Sequence, residues 1–122
     1  MNWQFSNDAP IYAQLIGQIR AGIVSGAFSP GERLPSVRDL AMEAGVNPNT
    51  VQRALADLER DGLVFSQRTA GRFVTGDVSM IENAKLRLAD QCVENFLSEM
   101  AKLACGRDEV IALLQGRKEE EP

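Results

Sequence analysis

Apolar positions along this chain recur at two periods, and the changes of period divide it. Ile11, Leu15, Ile19 and Ile23 stand at i, i+4, i+8 and i+12, and Ile16 and Val24 widen the stripe. That spacing predicts an amphipathic helix introduced by Asp8, Ala9 and Pro10, reaching Ser25 and stopping at Gly26. In "SPGERLPS", Pro30 and Gly31 predict a turn, and Pro35 forces the residue before it into extended geometry. A short helix follows, with Ser36 as N-cap, Asp39 three residues on, Val37, Leu40, Ala41 and Ala44 as its apolar face, and Gly45 as its stop.

The next helix begins at once. Asn47 suits the N-cap, Pro48 suits the first helical position because its missing N–H would be unpaired there, and Val46 and Val51 have the spacing of a hydrophobic staple. Val51, Leu55 and Leu58 make a buried stripe with Ala54 at its edge, so Asn49, Gln52, Arg53 and Ala56 point outward. This helix ends near Asp61 and Gly62. The pattern then turns β-prone: Leu63, Val64 and Phe65 make one run, 68–71 a turn, and 72–75 a second run, which together predict a hairpin.

Two short helices joined at a glycine form a helix-turn-helix corner, whose second helix can enter the major groove of DNA. A hairpin directly after it predicts a winged helix. The expected fold is therefore mainly α with a small β-hairpin wing: a winged helix-turn-helix domain over 1–77, a helical segment over 78–116 and an acidic tail over 117–122.

The helical segment carries an unusually wide apolar surface. Over 79–104, Ile81, Leu86, Leu88, Ala89, Cys92, Val93, Phe96, Leu97, Met100, Leu103 and Ala104 cover more than the roughly 100° that one contact needs, which predicts packing against two partners. One is a last helix opened by Asp108 and closed by Gly116; the other is a second subunit, met through Leu88, Cys92, Phe96, Met100 and Leu103. Gly106 is expected to end the long helix. Cys92 and Cys105, both placed in it, are then about 20 Å apart, too far to bridge, and are expected to be reduced, buried thiols. The tail "RKEEEP" is expected to be disordered.

Composition removes most catalytic classes. The 122 residues include no histidine, which takes away the commonest general base and the commonest nitrogen ligand for metals. No phosphate-binding glycine loop and no CxxC pair is present, so no enzyme activity, cofactor or metal is expected. No membrane span or signal peptide is visible, and the expected location is cytoplasmic. The net charge of −4 argues against a nucleic-acid partner until its distribution is considered. Residues 1–77 hold seven Arg, no Lys and eight acids; residues 78–122 hold six basic residues and nine acids. A local patch is what DNA contact needs, and Arg38, Arg53, Arg68 and Arg72 supply one. Asp57, Glu59 and Asp61 crowd the end of the second corner helix, so its N-terminal half, with the positive end of the dipole and free N–H groups, is expected to lead into the groove.

The order "PIYAQLIGQIRAGIVSGAFSPGERLPSVRDLA", "GVNPNTVQRALADLERDGLV" and "GRFV" resembles the DNA-binding domain of GntR-type transcriptional regulators, over residues 10–74. With only about 45 residues after the wing, the chain looks like the YtrA-like subfamily, whose tail is a pair of dimerising helices. The resemblance implies that Arg38 contacts DNA from the first corner helix, that Asn49, Thr50, Gln52 and Arg53 lie on the recognition helix, and that Gly71 is a wing glycine. Thr69 and Arg72 depart from the usual wing pattern, standing where a glycine and a threonine are common. Adding the capping Asn47 and the wing's basic residues, the candidate DNA-binding set is Arg38, Asn47, Asn49, Thr50, Gln52, Arg53, Arg68, Gly71 and Arg72.

The function so implied is a homodimeric, sequence-specific repressor on an inverted-repeat operator in double-stranded DNA. The alternative is a winged-helix protein-interaction module without specific DNA binding. A small-molecule effector of unidentified chemistry stays open as a further partner, with a groove between the tail helices as its place.

Overall fold

The computed structural model of the protein describes residues 1–118. It contains α1 (Ile11–Ser25), α2 (Val37–Ala44), α3 (Pro48–Arg60), β1 (Val64–Gln67), β2 (Gly71–Val74), α4 (Val78–Lys102) and α5 (Arg107–Gln115). The chain forms two compact units, Met1–Lys85 and Leu86–Pro122.

In the first unit, α3 packs against α1, α2 and β1. Leu15, Ile19 and Ile23 of α1, Leu40 of α2, and Val51, Leu55 and Leu58 of α3 are buried together with Leu63, Val64 and Val74 of the hairpin. With three neighbours, α3 buries a wider arc than its stripe predicts: Ala54, expected at the edge, is fully buried, and Ala56, expected outward, is half-buried. Ile81 and Ala84 also belong to this core. The unit therefore runs on from 77, the expected boundary, through the opening turns of α4.

The hairpin is antiparallel, with Val64 opposite Val74, Phe65 opposite Phe73, Ser66 opposite Arg72 and Gln67 opposite Gly71. The second strand lies one residue before its expected place, and the first starts one residue late and runs two residues further, to Gln67. The extended stretch before α2 proves to be part of this sheet: Arg33 bridges Phe73, Leu34 N–H donates to the Arg72 carbonyl at 2.8 Å and Val74 N–H to that of Glu32 at 2.8 Å. The outer edge of β2 is thereby paired and the wing fixed to the segment leading into α2.

The N-terminal residues are strapped to α1 by two glutamines whose amides act as backbone substitutes. Gln18 accepts from Gln4 N–H at 3.0 Å and donates to its carbonyl at 2.6 Å; Gln14 does the same with Ser6, at 2.9 Å each way. Trp3 Nε1 donates to Glu43 of α2 at 3.1 Å.

In the second unit, α4 ends earlier than expected. Ala104, at φ 60°, adopts the left-handed conformation that closes the helix, with Cys105 N–H on the Met100 carbonyl and Ala104 N–H on that of Ala101, both at 3.0 Å. Gly106 is not its stop; it is the N-cap of α5, which opens one residue before Asp108. Cys105 thus lies in the turn, half-buried, and Cys92 is exposed on α4. Both thiols are free, but neither is the buried thiol expected. Val110 is buried, Leu88 and Met100 are half-buried, and Phe96 and Leu103 are 43% and 71% exposed. Of the tail, 119–122 lie outside the described residues.

Candidate nucleic-acid interface

The corner is built by local capping. Ser36 Oγ accepts from Asp39 N–H at 3.0 Å and starts α2. Gly45, at φ 70°, ends it in a conformation that costs glycine nothing and would strain other residues. Val46 N–H then returns to the Ala41 carbonyl at 3.0 Å, and Asn47 Oδ1 accepts from Asn49 N–H at 2.7 Å to start α3. The expectation of free N–H groups at this end fails for a physical reason. Pro48 has none, Asn47 Oδ1 takes that of Asn49, and the Asn47 carbonyl takes that of Thr50 at 2.9 Å. What remains for an anion is the helix dipole and the side chains.

Those side chains divide into a free group and a latched group. Asn49, Gln52 and Arg53 are exposed and Thr50 is half-buried on one face of α3. The Arg53 guanidinium stacks on the Tyr12 ring of α1, 3.8 Å from its centre. Ile11, Tyr12, Asn49, Thr50 and Arg53 line an open cavity of about 360 Å³ there. Arg38 of α2 and Arg68 at the wing tip are exposed. Among the described residues, Arg38, Arg53 and Arg68 form no ion pair.

Arg72 belongs to the latched group. Its Nε donates to Glu59 Oε1 at 2.7 Å and its Nη1 to Gln52 Oε1 at 3.3 Å, and Ser66 Oγ also donates to Glu59. The Ser66 hydroxyl first, and then Arg72, hold the Glu59 carboxyl below the usual glutamate range. The other two acids at the end of α3 are matched as well, Asp57 by Arg60 and Asp61 by Arg20. The three acids expected to repel phosphates are therefore each ion-paired with an arginine of the same unit. Gly71, at φ 105°, takes a left-handed conformation that other residues rarely adopt, and a Cβ there would lie 3.1 Å from the Arg33 side-chain Nε.

The structure thus brings Asn49, Thr50, Gln52 and Arg53 together on α3, with Asn47 capping it, and ties Gln52 to Arg72 of the wing. Sequence pattern alone missed Tyr12 and Arg33 and read Glu59 only as an acid that repels phosphate. Tyr12 falls within the apolar stripe of α1, four residues before Ile16, and so reads as one more core position; the roles of Arg33 and Glu59 depend on long-range pairing and leave no local trace.

Residues 11–74 match the bacterial regulatory proteins of the gntR family. The chain belongs to that family. This is the family expected from "LPSVRDLA" and "VNPNTVQRAL", and the fold is its winged helix-turn-helix, mainly helical, with further helices after the wing. The chain is 35% identical to YhcF of Bacillus subtilis (strain 168), an uncharacterized HTH-type transcriptional regulator, over 91% of this chain and 92% of YhcF. It is 39% identical to the HTH-type transcriptional repressor YtrA of the same organism, over 69% of this chain and 60% of YtrA. A GntR family transcriptional regulator from Listeria monocytogenes superposes with a TM-score of 0.86 at 38% identity, over 93% of this chain and 100% of that one. The DNA-binding domain of AraR, solved in complex with operator ORX1, superposes with a TM-score of 0.57 at 29% identity, over 62% of this chain and 96% of that one.

Proposed function

We propose that this GntR-family regulator is a homodimeric repressor that binds an inverted-repeat operator in double-stranded DNA through α3 and the wing. The observation that carries the reading is the division of charge in the first unit. Asp57, Glu59 and Asp61 are consumed by internal ion pairs, while Arg38, Arg53 and Arg68 have no acidic partner among the described residues, so a chain of net charge −4 still offers phosphates a locally positive face. The operator complex of the AraR domain and the repressor YtrA support the same role.

In this reading Arg38, Arg68 and the dipole of α3 position the protein on the backbone, and Asn49, Thr50, Gln52 and Arg53 meet base edges, with Asn47, Gly71 and Arg72 shaping helix and wing. Leu88, Cys92, Phe96, Met100 and Leu103 of the 78–116 segment supply the contact with a second copy. The reading includes no catalysis, and acting on chromosomal DNA places the protein in the cytoplasm; no described helix is long and apolar enough to cross a membrane.

Selection of bound fragments from random DNA, followed by titration at two salt concentrations, tests it. The expected result is one enriched motif, an affinity that falls steeply as salt rises, and an Arg38→Ala variant that folds normally and binds that motif at least several-fold more weakly. Absence of any enriched motif overturns the reading in favour of a protein-contact module.

A further inference from the structure

A glutamine carboxamide offers one donor and one acceptor group, and the bidentate contact with adenine uses both. At Gln52 one lone pair of the acceptor oxygen is already engaged, and that bond turns the oxygen toward the wing. Arg72 Nη1 lies 3.3 Å from Gln52 Oε1, and because a guanidinium has only donors, the oxygen and not the nitrogen of the amide faces it. Nor is Arg72 free to swing away. Its Nε is bonded to Glu59 at 2.7 Å, Glu59 is held in turn by the Ser66 hydroxyl, and its side chain is 19% exposed. Ser66 and Arg72 are cross-strand partners in the wing. The series Ser66, Glu59, Arg72, Gln52 therefore runs from the wing to the exposed face of α3 and leaves the Gln52 NH₂ as the amide's unengaged group.

We propose that Arg72 is a positioning residue that sets the base preference of Gln52: it holds the amide so that Gln52 offers donors, and the base it meets is guanine, whose major-groove edge carries the two acceptors N7 and O6. The inference rests on the DNA-binding reading above and deepens it. Arg72 acts through Gln52 and makes no phosphate contact of its own.

The test uses the full chain and the DNA it selects, with every base pair of a half-site substituted in turn, for the parent and for Gln52→Ala, Arg72→Ala and Gln52→Glu. One base pair responds to Gln52→Ala, and there the parent prefers guanine over adenine on the order of tenfold. Arg72→Ala reduces that preference to within about twofold, leaving preferences elsewhere and the salt dependence unchanged. Gln52→Glu keeps an oxygen for Arg72 but presents an acceptor outward, so the preference moves to cytosine. That exposed substitution disturbs no core residue and reads out the same arrangement even if Arg72→Ala loosens the wing.

Two results overturn the inference with DNA binding intact: an adenine preference in the parent that Arg72→Ala leaves alone, or an Arg72→Ala variant whose log–log salt slope falls by about one while its base preference persists. The latter marks Arg72 as a phosphate ligand. A parent protein that selects no DNA overturns the regulator reading and this inference with it.

Discussion

The Arg53 guanidinium carbon lies 3.8 Å from the centre of the Tyr12 ring, so a residue of α1 supports a cation on the outward face of α3. A stacked arginine has lost part of its rotamer freedom before DNA arrives, which lowers the ordering cost of any contact it then makes. At an exposed site such a stack contributes about 0.5–1 kcal/mol. Tyr12→Leu, which keeps apolar volume but removes the ring, is expected to weaken operator binding about two- to fivefold. Tyr12→Phe keeps the ring and is expected to bind within about twofold of the parent. Fluorescence anisotropy with selected DNA checks both; equal binding by the leucine variant would show that the stack does not serve recognition.

The Glu59–Arg72 pair predicts a pH effect with a definite sign. The Glu59 pKa is lowered in the folded protein, so its contribution to stability is fully present above the unfolded-state value and is lost as the pH falls through the folded one. Glu59→Gln should therefore be less stable than the parent near neutral pH, and the difference should shrink through and below the usual glutamate range. Both groups are partly exposed and screened, which keeps the effect small. Thermal unfolding of the two proteins across pH checks it; a difference that grows on acidification has the wrong sign.

Capping makes the corner legible in the amino-acid sequence. Ser36 and Asn47 accept from N–H groups three and two residues on, and Pro48 acts through its own fixed φ and missing N–H, so the starts of α2 and α3 are written in short stretches of chain. The hairpin is legible from its β-prone runs and turn. The sheet contact of Arg33 is not, because Phe73 is forty positions further on and pairing at that distance leaves no period to detect. Glu59 misleads for the same reason: taken alone it is a carboxylate near a DNA face, and only the folded wing brings Arg72 and Ser66 to it. The end of α4 misleads differently, since a glycine two residues later makes the better sequence signal than the alanine that takes the left-handed turn.

That alanine carries a cost. An L-residue other than glycine in the left-handed region is strained by about 1–2 kcal/mol, and glycine there gives back about 0.4–1 kcal/mol through the greater freedom of the unfolded chain. Ala104→Gly is accordingly expected to stabilise the protein by up to about 1 kcal/mol without changing DNA affinity. Urea denaturation at fixed protein concentration measures it. A destabilised glycine variant would mean that the Ala104 methyl makes contacts worth more than the strain.

Two copies of α3 related by a two-fold axis fit successive major grooves on one face of DNA only when the half-site centres are one helical turn apart, roughly 34–36 Å. Joining the two copies makes the second docking intramolecular, so a half-site alone is expected to bind far more weakly than the pair. The decisive measurement is the affinity of the full chain for its selected operator before and after five base pairs are inserted between the half-sites, which turns one by about half a helical turn relative to the other. Homodimeric recognition of an inverted repeat predicts that binding falls to the level of a single half-site; unchanged affinity, or a selected site that is one asymmetric element, would contradict it.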